Sequence, residues 1–250
     1  MKQIFEKLNA IAAYAIAISA VLIMLITSID YNCFDKGFYA KEYKDLNTAQ
    51  SLGMTEKDLN KATYTLLDYL KNERDDIQVE ISLKGTKTEA FNEKEASHMV
   101  DVRNLYHFAL ILRKGCIVAL LVSLVYLIFQ YRGGIYTHLS IAYMKTAILF
   151  FVFFALVGFW AYADFDAFWT AFHRLAFRND LWLLDPSTDL MINLFPSDFF
   201  FKLVFKIITW FAAGFAGLFA VSYVYLRHQL HKVHKELMGN DELPQSDTGK

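Results

Sequence analysis

The fold of this chain is constrained above all by four long apolar runs. The first run, Leu8–Ile29, has 22 residues. At a helical rise of ~1.5 Å per residue it reaches ~33 Å, against ~30 Å for a hydrocarbon core. The other runs centre on Gly115–Tyr131, Thr146–Ala163 and Leu203–Leu226. The second run is short by itself, but Arg113 and Lys114 can extend to the interface, so the helix can begin before them. Because backbone groups in lipid must pair within their own segment, each run is predicted to be a membrane-spanning helix.

The first run has the basic flank of a signal peptide, with Lys2 and Lys7 ahead of it. It is longer than the ~7–15 residues of a typical signal-peptide core. The residues that follow, Asp30-Tyr31-Asn32, do not form a small-residue cleavage site. The segment is therefore predicted to remain in the protein as an anchor.

Charge and cysteine content argue against several classes of protein. The formal net charge is −1, so nothing attracts a nucleic acid. The two cysteines, Cys33 and Cys116, lie in different surroundings, the first just beyond an apolar run and the second within one. This argues against a disulfide framework and against a cysteine-based metal site. The hydrophobic fraction, 55%, is concentrated in the long runs, which is typical of a membrane protein.

The Lys/Arg bias of the short segments predicts the orientation. The loop 164–200 offers only Arg174 and Arg178. Both termini are therefore predicted to be cytoplasmic, and residues 30–107 and 164–200 extracytoplasmic. Cations on the predicted cytoplasmic side are Lys2, Lys7, Arg132, Lys145, Arg227, Lys232 and Lys235, whereas Arg113, Lys114, Lys202 and Lys206 argue the other way.

The first extracytoplasmic segment has a mixed α and β pattern. Met54–Tyr69 is predicted to be a helix with Thr55 as its N-cap. Ile77–Leu83 alternates with period two and is predicted to form a strand, hairpinned with Thr88–Phe91. The expected fold is a mainly α membrane protein, with four transmembrane helices and a small α+β extracytoplasmic domain inserted between helices 1 and 2. The predicted division is 1–29 (cytoplasmic N-terminus and helix 1), 30–107 (extracytoplasmic domain), 108–131 (helix 2), 132–145 (cytoplasmic loop), 146–163 (helix 3), 164–200 (extracytoplasmic loop), 201–226 (helix 4) and 227–250 (cytoplasmic tail).

Two histidines stand out because each belongs to a dense polar group on the predicted outer side. His98 and Asp101 are three residues apart and share a helix face, so Asp101 can orient the imidazole or simply cap the helix. His173 is followed by Arg174, Arg178 and Asp180. Histidine is the usual general base near neutral pH. The alternative is that both imidazoles are interfacial groups satisfied by hydrogen bonds.

Other patterns point away from familiar sites. His228, His231 and His234 are better explained as a solvated basic helix end than as metal ligands. No Gly-x-Ser-x-Gly elbow, His-Glu-x-x-His motif or phosphate-binding glycine loop occurs. No metal site is predicted.

Six short motifs occur together in this chain. They are Phe38-Tyr39…Glu42-Tyr43, Leu52-Gly53-Met54-Thr55…Asp58-Leu59, Leu66-Leu67-Asp68-Tyr69-Leu70, Phe91-Asn92…Glu95-Ala-Ser-His98-Met99-Val-Asp101-Val-Arg103, Phe172-His173…Phe177…Asp180…Trp182, and Leu194-Phe195-Pro196…Phe199-Phe200. Taken together, they resemble one family, the lipoprotein intramolecular transacylases (Lit) of Gram-positive bacteria. Four spans and a large first outer loop agree with this resemblance.

The resemblance implies a reaction at the membrane. The implied substrate is a diacylglyceryl-modified lipoprotein with a free N-terminal cysteine amine. The implied reaction moves its sn-2 acyl chain onto that amine to give the lyso form. Membrane lipids are the other partners, and no cofactor is implied. His98 and His173 are the implied catalytic pair, with His173 taken as base and later acid and His98 as aid to the oxyanion or proton transfers, although the reverse assignment is also open. Asp101 is expected to orient His98, and Arg103, Arg174, Arg178 and Asp180 are candidate substrate-binding or orienting residues.

Two other functions remain open from the sequence. One is a non-enzymatic membrane protein that binds a lipid or peptide through its outer loop. The other is a histidine-dependent lipid hydrolase or intermolecular acyltransferase, which would use water or a second molecule as acceptor.

Overall fold

The structure is a computed structural model that describes residues 2–131 and 134–239. Arg132 of the predicted cytoplasmic loop and tail residues 240–250 lie outside the described residues. Contacts divide the described residues into two compact units, one formed by residues 23–115 and 154–212 and the other by residues 2–22, 116–131, 134–153 and 213–239.

Among the described residues, four long helices each contain an 18-residue stretch of mean hydropathy 1.8 or more. At most 33% of any of these stretches is buried within the protein, so most of their apolar surface is free to face lipid. The prediction of four membrane-spanning helices is confirmed. Their bounds are α1 Lys2–Cys33, α5 Glu93–Gln130, α6 Ile135–Ala163 and α9 Ser197–Gly239.

The helices are longer than the apolar runs that predicted them. α6 already begins at Ile135, inside the segment 132–145 predicted as a loop, and α9 continues to Gly239, past the predicted end at residue 226. Hydropathy marks only the part of a helix that contacts lipid. The backbone hydrogen bonds of an α-helix continue through polar residues, so helix ends extend beyond it.

The small α+β domain lies between α1 and α5, as predicted. The second strand of its hairpin has only four residues, because the chain then turns towards α5. The first strand can pair only over the same length, so it starts at Glu80 rather than at the predicted Ile77. Glu80 pairs with Glu89 and Leu83 with Thr86 in the antiparallel hairpin. The elements are α2 Lys36–Asp45, α3 Thr48–Leu52, α4 Glu56–Leu70, β1 Glu80–Leu83 and β2 Thr86–Glu89.

Helix α4 has the start that its sequence predicts. Thr55 is the N-cap, and its Oγ1 accepts a hydrogen bond from the Asp58 backbone N–H at 3.0 Å. The apolar stripe of the helix then turns inward, and Leu59 and Ala62 are fully buried. This stripe makes α4 the centre of the inserted domain.

The core of the first unit joins the inserted domain to α9. Phe199 is fully buried, and its ring stacks on Tyr43 with 5.2 Å between centroids and 24° between planes. Tyr39 and Phe38 also pack against Phe199. Burying a Phe side chain of this kind contributes about 1.5–3 kcal/mol. Two short helices, α7 Phe165–Ala176 and α8 Leu190–Leu194, complete this unit.

The second unit consists of helix segments. Val21 and Leu127 are fully buried there. The Tyr143 hydroxyl donates to the Phe215 carbonyl at 2.9 Å, and Asn9 Nδ2 donates to the Tyr131 hydroxyl at 3.2 Å.

Candidate active site

His98 and His173 lie side by side in the first unit. Their ring centroids are 6.4 Å apart, with 35° between the planes. His98 is on the second turn of α5 and His173 is near the end of α7. Each residue is only 7% exposed, which is low for histidine.

The sequence around α7 fixes the position of His173. Asp164 separates α6 from α7. Its Oδ1 accepts a hydrogen bond from the Ala167 N–H at 2.9 Å, which caps α7. His173 Nδ1 lies 2.8 Å from the Trp169 carbonyl oxygen, one turn earlier. Since a carbonyl can only accept, Nδ1 carries the hydrogen, and the neutral ring presents a lone pair at Nε2. Burial lowers the pKa of His173, although the hydrogen bond to Trp169 acts in the opposite direction.

Aromatic rings surround His173. Trp182 stacks on its imidazole at 4.8 Å and 28°, and Trp169 meets it edge-on at 4.5 Å. Phe177 contacts both imidazoles, at 5.2 Å from His98 and 5.7 Å from His173. These rings exclude water, which strengthens electrostatic interactions within the site.

His98 belongs to the charged first part of α5, ahead of the apolar part that spans the membrane. Residues 93–103 carry five charged side chains, so the apolar part begins only after Arg103. Burial, and then the neighbouring His173, lower the pKa of His98 to about 4, while the charge of Asp101 raises it. Its Nδ1 is buried and has no hydrogen-bond partner among the described residues.

A buried carboxylate one turn before His98 anchors the start of α5. Glu95 is 1% exposed, and its carboxylate accepts from the Asn92 N–H at 2.8 Å and the Met191 N–H at 2.6 Å. Asn92 Oδ1 in turn accepts from the Glu95 N–H at 3.0 Å, which completes a reciprocal capping box. Burial raises the pKa of Glu95 against the effect of these backbone hydrogen bonds.

The same helix start is tied to the loop that carries Trp182. Asn92 Nδ2 donates to Asp189 Oδ1 at 2.8 Å. Lys94 Nζ donates to the Leu183 carbonyl and lies 3.6 Å from Asp189 Oδ2. Sequence reasoning missed these supporting residues. The Asn-x-x-Glu spacing of Asn92 and Glu95 was the available signal, whereas nothing in the sequence marked Asp189.

The remaining predicted site residues are not part of the imidazole pair. Asp101 Oδ2 accepts from Asn179 Nδ2 at 2.8 Å, and no described hydrogen bond joins Asp101 to His98. The guanidinium of Arg103 lies 4.2 Å from the ring centroid of Tyr69, within the inserted domain. Three side chains are exposed and form no hydrogen bond or ion pair with the described residues: Arg174, Arg178 and Asp180.

No group of three or more His, Cys, Asp or Glu side chains within residues 2–131 and 134–239 is arranged to hold a metal ion. The arrangement around His98 and His173 is suited to moving protons and to donating a hydrogen bond in a water-poor setting.

Fold and site define a multi-pass helical membrane protein with two buried imidazoles beside an inserted α+β domain. The family model "Lipoprotein intramolecular transacylase Lit" matches residues 14–200, most of the chain. The chain belongs to this family, and it is an enzyme with the family's general function, the intramolecular transacylation of lipoproteins.

Solved structures of lipoprotein intramolecular transacylase Lit from Bacillus cereus have the same fold. One is 20% identical, covers 91% of this chain and 99% of its own, and has a TM-score of 0.69. Two others carry a histidine substitution, to arginine or to alanine, and each is 19% identical with a TM-score of 0.68. These two cover 92% of this chain and 97% and 100% of their own chains. No curated protein matches this chain.

Proposed function

We propose that the enzyme moves the sn-2 acyl chain of a diacylglyceryl-modified lipoprotein onto the α-amine of the same N-terminal cysteine, at the extracytoplasmic face of the membrane. The product is an N-acyl, S-monoacylglyceryl lipoprotein. The observation that carries this proposal is the pair of buried imidazoles 6.4 Å apart, one of which has its tautomer fixed by a backbone carbonyl.

His173 is proposed as the base and later the acid. The free amine, with a reference pKa of about 8, attacks the ester carbonyl in its neutral fraction. Once the C–N bond forms, the nitrogen becomes strongly acidic, so even an imidazole of lowered pKa accepts its proton at Nε2. The same proton then passes to the glyceryl oxygen as the C–O bond breaks. One amide bond replaces one ester bond, and no proton is gained or lost.

His98 is proposed to stabilise the oxyanion. In this proposal the hydrogen of His98 is on Nε2. Its Nδ1, which is buried and has no partner among the described residues, is then a bare lone pair rather than an unsatisfied N–H donor. A preorganised N–H donor of this kind contributes about 3–4 kcal/mol to an acyl transfer.

Donor and acceptor belong to one substrate molecule, so the protein needs to supply neither an acyl carrier nor a covalent nucleophile. Holding the amine beside the ester removes much of the entropic barrier, which reaches about 7–11 kcal/mol in well-oriented intramolecular reactions. The aromatic surroundings of His173 keep out the water that would otherwise hydrolyse the ester.

We expect His98→Gln and His173→Gln each to lower formation of N-acylated product by more than about 100-fold. Glutamine does not accept a proton, and its amide group does not reproduce the position and direction of the ring nitrogens. Mass spectrometry of lipoprotein N-termini from cells that express each variant measures the product.

The matched control is His107→Gln on the same helix. His107 Nε2 lies 3.0 Å from the Leu70 carbonyl, away from the imidazole pair, and we expect product at the wild-type level. Wild-type product levels from both site variants would overturn the pairing. A free amine with one acyl chain lost to water would instead identify a hydrolase, and unchanged diacylglyceryl termini with well-expressed protein would favour a binding protein.

A further inference from the structure

Helix α7 is amphipathic, and its two sides differ sharply. Phe165, Phe168, Phe172 and Leu175 follow one another at spacings of three and four residues, so they lie on one face. The opposite face holds four small or polar residues: Asp166, Ala167, Thr170 and Arg174.

Much of the apolar face has no protein covering it. Leu175 is 89% exposed, Phe172 41% and Phe165 40%. These three large side chains on one helix form an exposed apolar patch, and contact between such a patch and water is unfavourable. Its inner edge is covered, because Trp169 packs edge-on against Phe200 of α9 at 4.4 Å.

The position of α7 in the chain indicates what covers this face. Only Asp164 separates α7 from α6, a membrane-spanning helix whose apolar stretch is only 11% buried. Trp160, near the end of α6, contacts Phe168 of α7 edge-on at 5.7 Å. The exposed face of α7 is therefore continuous with a surface that already faces lipid, and tryptophan is the residue favoured at that level.

We propose that α7 lies in the plane of the bilayer surface, with Phe172 and Leu175 in the hydrocarbon boundary and its polar face towards water. At 100° per residue, His173 falls at the border between the two faces. An in-plane helix therefore holds the His173 ring near the depth of glyceryl esters, which lie between the headgroups and the hydrocarbon. The depth of α7 stands independently of the reaction, whereas the link to the ester rests on the proposed function.

Spin labels at two positions test the depth of α7. We replace Cys33 and Cys116 by alanine and introduce either Leu175→Cys or Asp166→Cys. Both side chains are exposed, and at 100° per residue they lie on opposite faces of α7. In proteoliposomes of phosphatidylglycerol and phosphatidylethanolamine, we expect the label at 175 to relax faster with oxygen, which partitions into lipid. The label at 166 should relax faster with a water-soluble nickel chelate. Equal access of the chelate to both labels overturns the inference.

A functional arm uses Leu175→Asp, with Leu175→Phe as the matched control. A carboxylate pulls the end of α7 towards water, so we expect N-acylated product to fall by at least about tenfold, a change of ~1.4 kcal/mol. The phenylalanine variant should retain wild-type product, and an unchanged Leu175→Asp variant counts against the inference. A lipid-buried label in a protein that transfers no acyl chain overturns the proposed function alone. A water-exposed label in an active protein overturns only the placement of α7.

Discussion

His98 and His173 are kept neutral near neutral pH by burial, and neutrality is the state in which one imidazole accepts a proton while the other donates a hydrogen bond. Burial among these aromatic rings removes the water that would solvate a charged imidazole. The difference between the two residues lies in their partners. His173 is oriented by the Trp169 carbonyl, whereas Nδ1 of His98 has no described partner.

Burial of His98 predicts an acid-sensitive fold. Its pKa is about 4 in the folded protein against an ordinary value of 6.5. Between these pH values the unfolded chain binds the extra proton, so stability is lost as the pH falls from about 6.5 to about 4. At about pH 4.5 the loss attributable to this one group is on the order of 2–3 kcal/mol. We expect the melting temperature in detergent to fall less on acidification in His98→Gln than in the wild type, and an identical fall in both would contradict this.

At the scale of elements, the inserted domain is held together where α3 meets the β hairpin. Gly53 ends α3 with a φ of +71°, and its carbonyl accepts from the Lys84 N–H at 2.7 Å. Met54 forms a β-bridge with Leu83 next to this bond. A side chain at residue 53 would crowd this junction, because its Cβ would lie 2.9 Å from Lys84 Cγ.

Gly53→Ala is therefore expected to destabilise the inserted domain. The left-handed conformation costs an L-residue about 1–2 kcal/mol, and crowding against Lys84 adds to it. Gly85→Ala is the matched control, since Gly85 also has a positive φ, +83°, but open space around its Cβ. In thermal melts Gly53→Ala should lose more stability than Gly85→Ala. Equal losses would show that close approach to Lys84 does not matter.

At the scale of the whole molecule, ion pairs give a structural reason for the cations that argued against the predicted orientation. Three of the four are paired with carboxylates near the start of the inserted domain. The pairs are Arg113 with Asp30 at 2.9 Å, Lys202 with Glu42 at 2.6 Å and Lys206 with Asp35 at 2.5 Å. The bond from Lys206 also lowers the pKa of Asp35. These cations connect α5 and α9 to carboxylates at residues 30–42, so their placement does not require a cytoplasmic location.

Both termini are predicted to be cytoplasmic and the inserted domain extracytoplasmic, which labelling of intact cells tests. In a background with Cys33 and Cys116 replaced by alanine, Glu73→Cys and His231→Cys place single thiols at exposed positions. A membrane-impermeant maleimide should label residue 73 in intact cells, and residue 231 only after permeabilisation. The opposite pattern would reverse the predicted orientation.

The sequence by itself determined the helical membrane fold, the inserted α+β domain and the start of α4. These features depend on local properties: runs of apolar residues long enough to span lipid, and a Thr55 side chain that caps its own helix. It also singled out His98 and His173, through residue type and family resemblance.

Only the tertiary structure decided that the two imidazoles lie 6.4 Å apart, and that Asp101 bonds Asn179 rather than His98. It also revealed the anchor formed by Glu95 with the backbone of Met191. These contacts join segments far apart in the chain. Their geometry is set by the packing of a shared core, which no local pattern of residues encodes.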